Sequence, residues 1–378
     1  MSDTDETVDF AQIVGHFAMP GRFTGARPYG CGHINDTYAV SFEQPDHTAR
    51  RYILQRINTY IFHEPEKLMR NIELVTGHIH RKILARGGSP ERETLILVPT
   101  ADGCAFYRTE SGEYWRAYVF IEGARTYQIV ENSRHFYSSG FAFGKFQNYL
   151  SDFDASSLYE VIPDFHNTQV RLWNFNQSVR KDTAGRAGEV GEEIDFVRRR
   201  AGECGRLVRM LERGEIPCKV THNDTKFNNV MIDDRTGEGI CVIDLDTVMP
   251  GTALYDFGDA IRSGATTAEE DEPDLSKVRF DKELFRCFAE GFIDAAGASL
   301  TVAELRQMPF AAVLMTFECG MRFLADYLDG DVYFKIQRER HNLDRARNQF
   351  KLVRDMEAGQ DEMRHIIYDI AKKNQLPV

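Results

Sequence analysis

Long apolar runs are missing from this sequence. None approaches the roughly 20 residues that a membrane-crossing helix needs, so no membrane association is expected. Cysteine is sparse. The seven cysteines (31, 104, 204, 218, 241, 287 and 319) are scattered and none forms a CxxC pair. That pattern argues against a disulfide framework or a zinc site and suits a reducing cytoplasm. Positive charge is in deficit, with 46 Lys and Arg against 58 Asp and Glu, a net charge of −12. A nonspecific nucleic-acid binder needs a basic face, so that class is set aside. The first residues, Met1-Ser-Asp-Thr-Asp-Glu-Thr7, lack both the basic and the apolar stretch of a secretory or transit peptide. No internal repeat, heptad array or low-complexity tract is visible.

What remains is the composition of a globular chain of 378 residues, 42% hydrophobic and 28% charged, long enough for two or three domain-sized units or one bilobal enzyme. Residues 1–9 read as a disordered leader and 10–17 as a short helix. A glycine-rich stretch, Tyr29-Gly-Cys-Gly-His-Ile-Asn-Asp-Thr37, leads into alternation and a second strand at 51–57. Such glycines allow close backbone approach to a phosphate, and equally allow a plain hairpin turn. Leu68, Ile72, Val75, Ile79 and Ile83 share one helical face within 65–86, which Gly87-Gly88 ends. Strands are expected at 95–98, 105–107 and 114–121. After Glu122-Gly123 the pattern turns helical: 136–150, 192–213, 281–295, 302–328 and 339–373. The fold class expected is α+β, with a small, mostly antiparallel-sheet lobe over 1–121 and a mainly helical lobe over 122–378.

One polar stretch interrupts the helical half. Val220-Thr-His-Asn-Asp-Thr-Lys-Phe-Asn-Asn-Val-Met-Ile232 and Cys241-Val-Ile-Asp-Leu-Asp-Thr247 read as strands joined by the turn Asp233 to Gly239. By itself this could be a surface hairpin rich in turn-forming residues. It also places Asp224, Asn229 and Asp244 at strand ends, where loops on a rigid scaffold carry function. Those residues suit in-line phosphoryl transfer. Asp224 can accept the hydrogen bond of an attacking hydroxyl. Asn229 and Asp244 offer the oxygen ligands that Mg²⁺ takes, and Asp246 can support metal or substrate. His222 is read as bracing the loop.

In this order, His222-x-Asp224-x4-Asn229 and Ile243-Asp244 resemble the catalytic and metal motifs of the protein-kinase-like superfamily. Thr221-His-Asn-Asp-Thr-Lys-x-Asn-Asn229, Ile243-Asp-Leu-Asp-Thr247 and Asp256-Phe-Gly-Asp259 look like its aminoglycoside phosphotransferase/choline kinase branch. Longer words, including 28–38, 68–76, 152–156 and Glu318 to Tyr327, are similar to the N-acetylhexosamine 1-kinases of that branch. The resemblance implies a bilobal, monomeric enzyme that uses ATP and Mg²⁺ to phosphorylate an alcohol group on a small sugar. It further implies a phosphate-covering loop from Gly30 through Gly32 to Asn35, with Thr37 and Gln55 beside it. Phe120, Ile121 and Glu122 would form the adenine hinge, and Asp256 and Asp259 would brace the catalytic loop. His33, Arg322 and Tyr333 would contact the sugar beside Asp224 and Asp244. One position departs from the branch: Gln55 stands where a Lys or Arg normally holds the phosphates, and the acid that pairs such a cation would be Glu66 or Glu73. Rival expectations are a homoserine, aminoglycoside, choline or methylthioribose kinase, with acids at 269–272 meeting a cationic acceptor, and a nucleotide-binding pseudokinase.

Overall fold

The computed structural model describes residues 8–30, 34–130 and 132–378. The fold is α+β, and the chain divides into two compact units, one ending at Ala124 and the other running from Arg125 to Val378.

The first unit is built on a five-stranded antiparallel sheet in the order β1-β2-β3-β5-β4. Its elements are α1 (Phe10–Val14), β1 (Arg22–Pro28), β2 (Asp36–Glu43), β3 (Ala49–Ile57), α2 (Pro65–Ala85), α3 (Pro90–Glu93), β4 (Tyr107–Arg108) and β5 (Tyr114–Val119). Side chains alternate across a pleated sheet. Accordingly Val40, Phe42, Tyr52, Leu54, Trp115 and Ala117 face one side, where Ile13, Val14 and Phe17 of the N-terminal segment close an apolar core. The cross-strand row Thr37, Gln55, Arg116 belongs to the other face. The α2 helix buries the expected Leu68, Ile72, Val75, Ile79 and Ile83. β1 was not expected, because its residues alternate weakly. The strand expected at 95–98 is reduced to a bridge from Leu97 to Tyr118, with Pro99 ending the pairing.

The second unit follows the boundary strand β6 (Ala124–Arg125). It contains α4 (Ser133–Tyr149), α5 (Thr168–Lys181), α6 (Gly191–Arg200), α7 (Arg206–Glu212), β7 (Lys219–Thr221), β8 (Val230–Asp233), β9 (Gly239–Val242), β10 (Met249–Gly251), α8 (Ala253–Gly264), α9 (Lys282–Ala296), α10 (Val302–Asp329), α11 (His341–Ala358) and α12 (Gln360–Lys373). Two helices expected to be continuous are broken. The 192–213 helix splits at the 3-10 turn Ala201–Glu203, which holds Gly202 and is followed by Gly205, and the 339–373 helix splits at Gly359, glycine being a poor helix former. α10 is long and apolar enough by composition to cross a membrane, but 78% of its most apolar window is buried inside the protein, as in a core helix.

The helices α4 and α9 approach so closely that glycine is required between them. A Cβ on Gly291 would lie 2.1 Å from the Tyr137 carbonyl oxygen, and one on Gly144 would lie 2.3 Å from that of Phe292. Gly291→Ala gains about 1 kcal/mol of helix propensity but overpacks backbone against backbone, which costs roughly 1–3 kcal/mol. The cost should win. We expect the urea midpoint of Gly291→Ala to fall with an unchanged m-value; a rise in midpoint would show that the helices can part freely.

Candidate active site

β7 ends at Thr221 and releases the chain into the polar loop 222–226, which closes with a 3-10 turn at Phe227–Asn229 and enters β8. β8 and β9 pair antiparallel. Their turn is held by Asp233, whose Oδ1 accepts from the backbone N–H groups of Arg235 (2.9 Å) and Thr236 (2.8 Å). One further bond, from the Ile243 N–H to the Asn229 carbonyl (2.9 Å), carries the pairing past the strands and sets Asn229 beside the start of the Asp244 turn.

The loop is fixed by buried polar groups. Asp256 on α8 accepts from the backbone N–H of His222 (3.1 Å) and of Asn223 (2.8 Å), and from the Gln147 amide (2.7 Å). Burial nevertheless pushes the Asp256 carboxyl up. Asp259, one turn along, accepts from the Thr225 N–H (2.9 Å) and from Arg262 (2.9 Å). His222 is fully buried and both ring nitrogens face backbone: Nδ1 accepts from the Asp224 N–H (3.2 Å) and Nε2 donates to the Ile243 carbonyl (2.9 Å). A ring engaged in this way braces the loop and has no nitrogen left for proton transfer.

Asn223 and Asp244 both adopt left-handed backbone, with φ of +67° and +61°. Asn and Asp tolerate this better than other side chains, and such strain collects at functional sites. Asp224 is partly exposed. Its Oδ2 accepts from the Asn229 amide (3.1 Å), which also donates to the Asp224 carbonyl (2.8 Å). With the Asn229 nitrogen engaged, its side-chain oxygen is the atom left for a ligand. The Lys226 ammonium stands 2.9 Å from Asp224 Oδ1. Burial alone would raise the Asp224 carboxyl, but Lys226, aided by His222 and Arg262, holds it below the usual aspartate range. Asp244 is exposed at the strand end and Asp246 is buried. Among the described residues no three His, Cys, Asp or Glu side chains form a metal cage. The Asn229 and Asp244 oxygens instead suit an ion such as Mg²⁺, which takes one or two carboxylates plus nucleotide phosphates and keeps several waters.

A second cluster joins this loop. His166 bridges the Asn223 carbonyl (3.2 Å) and Glu318 on α10 (2.8 Å), and Thr168 donates to the other Glu318 oxygen (2.5 Å). Burial opposes ionisation of Glu318, yet His166 brings its carboxyl below the usual range. One turn on from Glu318, the Arg322 guanidinium lies over the rings of Phe165, Tyr333 and Phe334, 5.5–5.9 Å from their centroids. Among the described residues no carboxylate pairs with Arg322. The i,i+4 neighbour Asp326 is turned away: it accepts from the N–H groups of Val332 (3.0 Å), Tyr333 (2.8 Å) and Phe334 (2.9 Å). Asp326 thereby holds the loop that presents the exposed Tyr333.

The remaining residues singled out lie in the first unit. Gly30 turns with φ +79°. Gly32 and His33 lie outside the described residues. Asn35 accepts from the Asn58 N–H (2.9 Å), anchoring the loop to the end of β3. Gln55 donates to Thr37 (2.9 Å) and accepts from Arg116 (3.0 Å). Phe120 donates its N–H to the Arg51 carbonyl (3.3 Å) and the Glu122 carbonyl accepts from Arg92 (2.6 Å), and Ile121 lies between them. Glu66 takes the Tyr114 hydroxyl and Glu73 lies 3.9 Å from Arg70. Lys226, His166 and Arg116 were not among the expected site residues. Lys226 had a local signal, two residues after Asp224; His166 and Arg116 meet their partners only through the fold.

Residues 25–290, well over half of the chain, match the phosphotransferase enzyme family APH. The chain belongs to that family. Similar solved folds include an aminoglycoside phosphotransferase from Alicyclobacillus acidocaldarius (13% identity, 99% of this chain and 98% of that one, TM-score 0.61). A microcompartment-associated aminopropanol kinase aligns over 93% of this chain and 97% of its own, at 16% identity and TM-score 0.57. The amicoumacin kinase hAmiN, solved with AMP-PNP, Ca²⁺ and Ami, aligns over 97% and 93% at 15% identity and TM-score 0.54. This APH phosphotransferase therefore shares its fold with small-molecule kinases and transfers phosphate to a hydroxyl-type acceptor.

The Asp224–Lys226 contact has a pH consequence. A carboxyl held below its ordinary value stays ionised to lower pH, so the acid limb of kcat/KM should fall below the ordinary aspartate value of about 3.9. Lys226→Met removes the main opposing charge and should move that limb upward. An unchanged limb in Lys226→Met would separate Lys226 from the state of Asp224.

Proposed function

We propose that this APH phosphotransferase is an N-acetylhexosamine 1-kinase, passing the ATP γ-phosphate to the anomeric hydroxyl of N-acetylglucosamine or N-acetylgalactosamine. Beyond the sequence resemblance, the observation that carries this reading is Arg322, a permanent cation in an aromatic setting that no carboxylate pairs with among the described residues, on the helix that Glu318 and His166 tie to the loop bearing Asp224. A guanidinium donates to neutral carbonyl and hydroxyl oxygens and repels ammonium groups. It suits an acetamido sugar better than a polyamine. The acids of 269–272 do not converge on an acceptor: Glu270 pairs with Arg262, Asp271 with Arg338 and His341, and Glu272 with Lys277.

In this reading Asp224 accepts the anomeric hydroxyl's hydrogen bond and takes its proton as the bond to phosphorus forms. Asn229 and Asp244, supported by Asp246, hold the Mg²⁺, which would neutralise charge on the phosphates. Asp256 and Asp259 keep the loop rigid through their backbone bonds. Gly30 to Asn35 cover the phosphates, His33 with Arg322 and Tyr333 contacts the sugar, and the Ile121 backbone reads adenine. Transfer is direct, in a monomer, with no phospho-enzyme.

A panel of acceptors with ATP and Mg²⁺, scored for ADP release and for the position of the phosphate, tests the reading. N-acetylglucosamine or N-acetylgalactosamine should give the 1-phosphate. Turnover of the 1-deoxy sugar, or of amines alone, would sink it. Asp224→Asn should bind ATP normally and lose about 10²–10⁴-fold in kcat, the range for a lost proton acceptor. Arg322→Met should raise KM for the acetamido sugar by tenfold or more while leaving KM for ATP unchanged. An equal rise for both substrates would place Arg322 in structural support.

A further inference from the structure

The first half of α10 borders a cavity before the helix reaches Glu318. The space measures about 290 Å³ and lies between α10, the α6–α7 turn and the start of α12. Phe310, Val313, Leu314 and Phe317 give it an apolar wall. Guanidiniums surround that wall: Arg200 from α6, Arg206 from α7, Arg306 from α10 and Arg364 from α12. Arg306 and Arg364 also border an adjoining cavity of about 460 Å³, whose apolar residues include Pro309, Ile367 and Tyr368.

The charges here do not cancel. Arg200 is held by both Glu357 oxygens (2.7 and 2.6 Å) and Arg364 by Asp361 (2.7 Å). Arg206 stands 3.5 Å from Glu203 and 4.4 Å from the centre of the Phe310 ring. Among the described residues no carboxylate pairs with Arg306, so a cation is left over on this face of a chain whose net charge is −12. Gln307, next along α10, lines the same cavity, and its side-chain oxygen is buried with no donor to it. An unsatisfied buried acceptor costs free energy that a ligand's hydroxyl would recover. The two observations call for two parts of one molecule: an anionic group for Arg306 and Arg364, and a donor for Gln307. Guanidiniums arriving from two helices suit the several oxygens of a phosphate, whereas a single fork already fills the two of a carboxylate. We propose that this cavity is a second ligand site, separate from the Asp224 loop, and that it takes a sugar phosphate, with the carbon face of the sugar on Phe310 and Leu314. Phe317 at the cavity wall adjoins Glu318, so an occupant touches the turn of α10 that holds His166.

Calorimetric titration of the full chain with glucose 6-phosphate, at one fixed low salt concentration, tests the site, with glucose and inorganic phosphate as its separated halves. Glucose 6-phosphate should bind, inorganic phosphate should bind more weakly, and glucose should give no heat. Arg306→Gln and Arg364→Gln, both exposed positions whose replacement leaves the core intact, should each weaken glucose 6-phosphate about tenfold. Gln307→Leu should also weaken it, while the melting temperature without ligand holds or rises, because an apolar group replaces an unsatisfied acceptor. Arg322→Met, beside the His166 cluster, should leave the affinity within about twofold, which places the binding away from that cluster. The proposal is overturned if wild-type protein does not bind glucose 6-phosphate, or if inorganic phosphate binds as tightly, which would leave only a surface anion contact. It is equally overturned if Arg306→Gln and Gln307→Leu bind like the wild type, or if Arg322→Met alone removes the binding.

Discussion

Much of the second unit depends on one buried carboxylate. Asp256 receives the backbone N–H groups of His222 and Asn223, and Gln147 of α4 donates to the same group. A buried carboxylate without such partners would be strongly unfavourable, and a buried backbone N–H without an acceptor would add a smaller cost of its own. Each therefore requires the other. The loop cannot leave α8 without stranding both, and this is why Asn223 can be kept in left-handed backbone two residues before the helix-facing Thr225. Asp259 repeats the arrangement for Thr225, and Thr247 donates to the His222 carbonyl from the other side (2.7 Å). The geometry around Asp224 is thus imposed by backbone bonds from several elements.

The same loop is bonded to a cluster on α10. His166 touches the Asn223 carbonyl with one ring nitrogen and Glu318 with the other. Arg322 lies one helical turn beyond Glu318, and Asp326 one turn further holds the loop of Tyr333. Three consecutive turns of α10 thus do separate work: joining the Asp224 loop, presenting a cation, and fixing an aromatic segment. Neighbours at i and i+4 share a helix face, which is why these tasks fall on one stripe of an otherwise apolar helix.

The central hairpin was legible in the sequence because its information is local. Strand alternation, the Asp-rich turn and the spacing of His222, Asp224 and Asn229 lie within a few tens of residues, and the turn forms with Asp233 bonding its own neighbours. The α2 core face was legible for the same reason. The pairing of Arg322 with Asp326, a plain possibility from i,i+4 spacing, was decided by Val332 to Phe334, whose N–H groups claim the carboxylate. The helix breaks at Gly202–Gly205 and at Gly359 were underestimated because apolar periodicity continues through them, while glycine lowers the cost of a bend.

The order of residue types along the chain by itself determined the fold class and the local form of the loop that carries Asp224. Periodicity and short-range spacing are properties of neighbours in sequence. Tertiary structure alone decided which distant groups meet. His166 finds Glu318 across 152 residues, and Gln55 finds Arg116 across 61. Those contacts arise from helix packing and strand register, which no local pattern encodes.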